Sequence, residues 1–204
     1  MTKIKICGLS RPCDIMFVNE AAPDFCGFII DVPKSHRTIS AEQLRQLRPL
    51  LNPEIIPVGV FVNAPVDTVA SLLNQQFISI AQLHGQEENS YISCLRSLTS
   101  APIIQAFQIH SVSDLILAEK SAADLILLDS GAGSGQTFDW SLLSSFQRPY
   151  ILAGGLTPEN IPAAILNCRP WGIDLSSGVE RNQLKCKRKI KQAVEICRWY
   201  RQEN

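Results

Sequence analysis

Short apolar runs recur along the chain at an average pitch of about 25 residues, each ended by a turn signal and followed by a helix-like segment. The runs are KIKICG, DFCGFII, IIPVGVFV, SIAQLHG, IIQAFQI, DLILLDS, YILAGG and GIDLSSG. Between them lie RPCDIMFVNEA, SAEQLRQLRPLL, APVDTVASLLNQQ, NSYISCLRSLT, SVSDLILAEKSA, DWSLLSSF and TPENIPAAILNC, with a basic segment last. Several open with Ser, Asp or Thr followed by Pro or an acidic residue, as helix N-termini do. Val/Ile-rich strands alternating with helices imply parallel pairing through crossovers. Eight such units predict an α/β protein, one (β/α)8 barrel domain of the TIM-barrel kind over residues 1–204. A doubly wound open sheet is the competitor; the regular units and the lack of a Gly-rich dinucleotide fingerprint favour the barrel.

Composition narrows the partners. Nineteen basic and nineteen acidic residues give a formal net charge of zero, so no long-range field draws nucleic acid or an anionic membrane. The C-terminal RNQLKCKRKIKQAVEICRWYRQ is basic, but Leu184, Ile190, Val194 and Ile196 or Cys197 would give it a buried stripe, so it reads as a helix with a solvated face. Seven scattered cysteines without a C-x-x-C pair, and three histidines at no zinc-finger spacing, argue against a disulfide framework and a structural metal. Most of the thiols read as small buried hydrophobes in a reducing cytosol. Lys3 and Lys5 interrupt any apolar leader and no run is long enough to span a membrane, so the expectation is a soluble cytoplasmic protein, monomer or homodimer.

Strand parity locates chemistry. In a barrel, alternate residues face the helices or the lumen. Taking the helix-facing set as apolar assigns Val58, Val60 and Val62 outward and Gly59, Phe61 and Asn63 inward. The same test turns Lys5 and Cys7, Gln82 and His84, Gln105, Asp129, and Asp174 and Ser176 inward. Those at C-terminal strand ends sit where barrel enzymes keep their chemistry.

Three glycine-bearing endings follow strands six, seven and eight: SGAGSGQTFDW with Gly133 and Gly135, AGGLTPEN with Gly154 and Gly155, and DLSSGVE with Ser177 and Gly178. Each glycine alone reads as a turn residue. Together, in the loops after strands seven and eight, their backbone amides make a phosphate pocket, which points to a phosphorylated small-molecule ligand. Cys7 and Asp129 end strands one and six; a thiolate and a carboxylic acid at the mouth would suit proton removal from carbon coupled to proton donation. Their bland readings are a buried cysteine and a loop-capping aspartate. Arg37 alone reads as a surface arginine, or as a fork for a carboxylate; His84 alone reads as a satisfied core histidine.

In order, KICGL, GFII followed by KSHR, VGVFVN, QLHG, LLDS, GSGQTFDW, ILAGGL and GIDLSSGVE resemble phosphoribosylanthranilate isomerase of tryptophan biosynthesis, from Lys3 to Glu180. The resemblance implies a (β/α)8 barrel that rearranges N-(5-phosphoribosyl)anthranilate to the 1-deoxyribulose phosphate product without metal or cofactor. It also implies that Cys7 is the general base, Asp129 the general acid and Arg37 the holder of the anthranilate carboxylate, with His84 and Asp174 supporting the site. Two positions depart from the family pattern: Ala132 stands before Gly133 where a double glycine is frequent, and His36 precedes Arg37 where many members have proline. Both touch loop geometry, and neither removes a reacting group.

The implied chemistry sets requirements. Asp129 would protonate the furanose ring oxygen as the C1–O bond breaks, and Cys7 as thiolate would take the C2 proton. An ordinary thiol near pKa ~8.5 is only a few per cent ionised at neutral pH, and Lys5 on the same strand face is the candidate for lowering it. A related phosphosugar isomerase, epimerase or lyase on the same barrel stays open, as does a non-catalytic phosphate-binding barrel, though the latter has little need for both Cys7 and Asp129.

Overall fold

The computed structural model describes residues 2–129 and 140–202. Eight parallel strands, β1 (Lys3–Cys7), β2 (Phe25–Ile30), β3 (Ile56–Phe61), β4 (Ile80–Leu83), β5 (Ile103–Gln108), β6 (Leu125–Asp129), β7 (Tyr150–Ala153) and β8 (Gly172–Leu175), pair in sequence order. Pairing of β1 with both β2 and β8 closes the barrel. Around it lie α1 (Pro12–Ala21), α2 (Ala41–Leu47), α3 (Val66–Asn74), α4 (Asn89–Leu98), α5 (Val112–Glu119), α6 (Ile161–Cys168) and α7 (Lys187–Gln202). Local chemistry sets several of their starts. Ser40 Oγ accepts from Gln43 N at 3.1 Å and Gln43 Oε1 accepts from Ser40 N at 2.8 Å, a reciprocal cap on α2.

The sixth helical position differs from expectation. WSLLSS over Trp140–Ser145 is a 3-10 helix. Its serines bond back to the backbone, Ser144 Oγ to Ser141 O at 2.8 Å and Ser145 Oγ to Leu142 O at 3.2 Å, which competes with regular α-helical bonding. In the basic C-terminal helix, Ile190, Val194 and Cys197 are buried as the pattern requires. Leu184 does not join them: it is exposed, on a two-residue strand that precedes the helix.

Two apolar layers fill the molecule. Ile4, Ile6, Phe28, Leu83, Leu128 and Ile173 pack outward against the helices. Phe25, Val58, Ile104, Ala106, Leu127, Ile151 and Ala153 fill the lumen. This corrects the parity of VGVFV. Val58 points into the lumen, whereas Phe61 joins the helix-facing core. A barrel lumen is itself packed with branched apolar residues, so a strand apolar on both faces carries no alternation to read. Gly59 sits outward, where an added Cβ would stand 2.6 Å from Ile78 Cδ1 and 2.8 Å from the Phe61 ring. Gln105 is likewise corrected. Register places its neighbours Ile104 and Ala106 in the lumen, and its amide donates to Glu87 O at 2.6 Å while its oxygen accepts from Ser121 Oγ, in the helix layer.

Candidate active site

Lys5, Cys7, Gln82, His84, Asp129, Asp174 and Ser176 all fall on the lumen side near the C-terminal ends of their strands, as parity predicted. Lys5 pairs in register with Asp174 of β8, and Lys5 Nζ reaches Asp174 Oδ2 at 2.8 Å with both side chains buried. Asp174 Oδ1 has no hydrogen-bond partner among the described residues. Gly27 of β2 lies opposite Cys7; a Cβ there would stand 2.6 Å from Cys7 Sγ and 3.1 Å from Lys5 Nζ. The glycine therefore leaves the room that the thiol and the ammonium occupy.

This arrangement revises the expectation that Lys5 makes Cys7 acidic. Burial pushes the Cys7 thiol above its ordinary value, Lys5 pulls it down, Asp174 pushes it up, and the net shift is upward. For Lys5, burial favours the neutral amine, but Asp174 and Cys7 outweigh it and hold the ammonium charged. The sign of the Lys5 effect is as expected, and desolvation exceeds it.

The residue after Cys7 has to be glycine for a geometric reason. Gly8 has φ of 81°, and a Cβ there would stand 2.5 Å from Arg37 Cδ and 3.2 Å from Ser176 Oγ. A side chain would be strained in that backbone and would collide with the arginine lying across it. Ser176 Oγ in turn donates to Cys7 O at 3.1 Å.

Across the mouth, Gln82 Nε2 lies 3.0 Å from His84 Nδ1, and His84 Nε2 lies 3.8 Å from Asp129 Oδ2. Burial lowers the His84 pKa, partly countered by Asp129. A cavity of about 410 Å³ is lined by Arg37, Asp129, Gly154, Gly155, Asp174 and Ser177 among others. Gly154 and Gly155 have φ of 86° and 61°. Gly178 has a different role from its neighbours: a Cβ there would stand 1.8 Å from Leu156 O, so its missing side chain lets the loops after β7 and β8 pack together. Gly133 and Gly135 lie outside the described residues. Beyond His84 a second hollow of about 810 Å³ is bordered by Val62, Asn63, Glu87 and Lys120. Among the described residues no group of three His, Cys, Asp or Glu side chains is placed to hold a metal ion.

With Cys7, Arg37, Asp129 and the two glycine loops gathered at one end of the barrel, comparison with known proteins is decisive. Residues 4–196 match the family model for N-(5'phosphoribosyl)anthranilate (PRA) isomerase. The chain belongs to the phosphoribosylanthranilate isomerase family. A relative from Endomicrobium trichonymphae, an N-(5'-phosphoribosyl)anthranilate isomerase, is 42% identical over 203 residues, covering 97% of this chain and 99% of that one. The phosphoribosyl anthranilate isomerase of Thermotoga maritima superposes with a TM-score of 0.87 at 34% identity, covering 98% of this chain and 100% of that chain. A further solved isomerase, in complex with reduced 1-(o-carboxyphenylamino)-1-deoxyribulose 5-phosphate, gives a TM-score of 0.85 at 33% identity with the same coverage.

In this member of the phosphoribosylanthranilate isomerase family, sequence reasoning passed over two charged groups. Arg37 Nε and Nη2 donate to Glu180 Oε1 and Oε2 at 2.6 and 2.8 Å, and Lys185 Nζ donates to Glu180 Oε1 at 2.6 Å. Glu180 and Lys185 are both buried, on opposite strands of a two-residue hairpin that follows β8. The signal available was the pair of opposite charges flanking the turn in ERNQLK, which is indistinguishable from a solvated surface hairpin until Arg37 is placed beside it.

Proposed function

We infer that the chain isomerises N-(5-phosphoribosyl)anthranilate to 1-(2-carboxyphenylamino)-1-deoxyribulose 5-phosphate, a step of tryptophan biosynthesis, with residues 1–204 acting as one barrel domain. The observation that carries this reading is the convergence of Arg37, Asp129, Gly154, Gly155, Asp174 and Ser177 on one cavity at the C-terminal end of a closed barrel. In our reading Asp129 gives its proton to the furanose ring oxygen as C1–O breaks, leaving an iminium. Cys7 then removes the C2 proton, and the enolamine tautomerises to the ketone. The iminium adds a positive charge beside Lys5 and Lys185, and all three favour the thiolate against the burial that opposes it. Both steps move protons within one molecule, so these side chains balance them.

Binding divides among the rest. Arg37 forks onto the anthranilate carboxylate. The phosphate takes backbone amides near Gly154, Gly155, Ser177 and Gly178, where AGGLTPEN and LSSGV contain no lysine or arginine. The unpartnered Oδ1 of Asp174 accepts from a sugar hydroxyl. A cytoplasmic location agrees with seven cysteines that are all free thiols, and no described helix is long and apolar enough to cross a membrane. The test is loss of substrate fluorescence with purified protein, with Cys7→Ser and Asp129→Asn as controls. Substrate left unconsumed by the unmodified protein would overturn the assignment.

A further inference from the structure

We propose that Glu180, itself held by Lys185, is the positioning residue that presents Arg37 to the carboxylate of the substrate. The proposal rests on the reading of Arg37 given above and adds two residues to the specificity apparatus.

Arg37 comes from the loop after β2, and its stem lies across Gly8. Locally, its backbone N–H donates to Ser35 Oγ at 3.2 Å. Its guanidinium is fixed from 143 residues away, by two bonds to the Glu180 carboxylate. That contact uses Nε and Nη2, the side of the fork. The Nη1 end remains for a second, end-on carboxylate, so Glu180 orients the group without competing for the ligand's share of it.

A carboxylate beside an anion-binding arginine would by itself weaken the arginine's attraction for that anion. Lys185 removes this difficulty. Its ammonium contacts Glu180 Oε1 at 2.6 Å and Ser176 O at 3.0 Å, and Lys185, Glu180 and Arg37 together carry one net positive charge. The hairpin that holds both residues pairs Glu180 with Lys185 across the strands, so one backbone element sets the spacing of the pair. Glu180 stays ionised: burial opposes its charge, and the bonds from Arg37 and Lys185 outweigh that and keep its pKa below the ordinary value. His36 also faces this carboxylate, with Nε2 4.0 Å from Oε2.

The test compares two ligands, the reduced product analogue and the same molecule built on aniline, without the carboxyl group. Glu180→Gln should raise KM for the substrate, and Kd for the carboxylated analogue, by roughly tenfold, with kcat changed by no more than about twofold. Lys185→Met should raise the same Kd by a similar factor, and its kcat should also fall because it removes a cation near Cys7. The aniline ligand should bind all variants within about twofold. In an Arg37→Ala background, Glu180→Gln should add no further loss, because the two residues act as one unit. The double variant Glu180→Gln/Lys185→Met removes both buried charges together and supplies a folded test should either single change unfold the protein. A merely structural role for Glu180 would weaken both ligands equally, or would add fully to Arg37→Ala, and either result overturns the proposal. If Arg37→Ala discriminates between the ligands and Glu180→Gln does not, this proposal alone falls. If Arg37→Ala weakens both ligands alike, the reading of Arg37 falls and takes the proposal with it.

Discussion

Lys5 and Asp174 form a 2.8 Å ion pair inside the barrel, on the same lumen face as the Cys7 thiol. The pair supplies a cation to the thiol while leaving little net charge buried. Removing one partner of such a pair leaves the other uncompensated, at a cost of about 3–5 kcal/mol. Lys5→Met should therefore lower stability by that order in urea unfolding, and Lys5→Met/Asp174→Asn should recover much of it. A Lys5→Met protein as stable as the unmodified one would show that the pair is not a unit.

The direction of the Cys7 shift gives a pH signature. Burial holds its thiol above the ordinary value, so kcat/KM should still be climbing through neutral pH, as the thiolate fraction grows. Lys5→Met should move this limb further to alkaline pH. The same shift bears on stability with a definite sign. A thiol whose folded pKa is raised keeps its proton longer in the folded state, so its contribution is complete below the unfolded pKa and is lost as pH rises beyond it. Cys7→Ser should thus flatten some of the decline in stability above about pH 8.5, where an unfolded thiol ionises, when melts are recorded across that range.

Replacing Cys7 by Ser keeps the volume and removes the proposed base. Turnover should fall by roughly 10²–10⁴ while ligand affinity and thermal unfolding change little. Near-normal turnover in stopped assays of the Ser variant would remove Cys7 from the reaction.

Gly178→Ala should be among the costliest single-methyl additions in the molecule, because the new Cβ would lie 1.8 Å from Leu156 O and must push the two loop backbones apart. Overpacking of that kind costs about 1–3 kcal/mol or more. The loss should appear in denaturant midpoint and, through the displaced β7 and β8 loops, as weaker competition by inorganic phosphate. Unchanged stability would mean that these loops separate freely.

The hairpin carrying Glu180 and Lys185 turns through Asn182 and Gln183, with φ of 51° and 62°. Two-residue turns of this kind favour glycine at the second position, where glutamine is strained. Gln183→Gly should stabilise the protein by roughly 0.5–1 kcal/mol, read as a rise in denaturant midpoint at constant m. A fall in the midpoint would mean that the turn gains more from the glutamine side chain than it loses in backbone strain.

How far the sequence was legible depended on contrast between neighbouring residues. In KIKIC, Lys5 breaks an apolar pattern, so parity alone turned Lys5 and Cys7 inward. In DLILLDS and GIDLSS the carboxylates did the same for Asp129 and Asp174. VGVFV offered no such contrast, since both its faces are packed, and its parity came out reversed. Gln105 misled for the opposite reason: its polar amide satisfies Glu87 and Ser121 in the helix layer rather than a site. Glu180 and Lys185 were hidden because their partner, Arg37, is distant in sequence. Long-range charge pairing leaves no local period to read.

Lys5 and Asp174 are 169 positions apart, and the contact joins the first barrel strand to the eighth. The proposed reaction centre therefore straddles the seam at which the barrel closes. While the chain is being made, Lys5 and Cys7 emerge early, and their counter-charge arrives only with β8 and the hairpin behind it. No N-terminal fragment ending before Asp174 holds a compensated site, and closing so long a loop is entropically the slowest kind of step. Activity during synthesis or refolding should accordingly appear all at once, with the seam, and a circular permutant that joins β8 directly to β1 in the chain would bring the two halves of the centre together first.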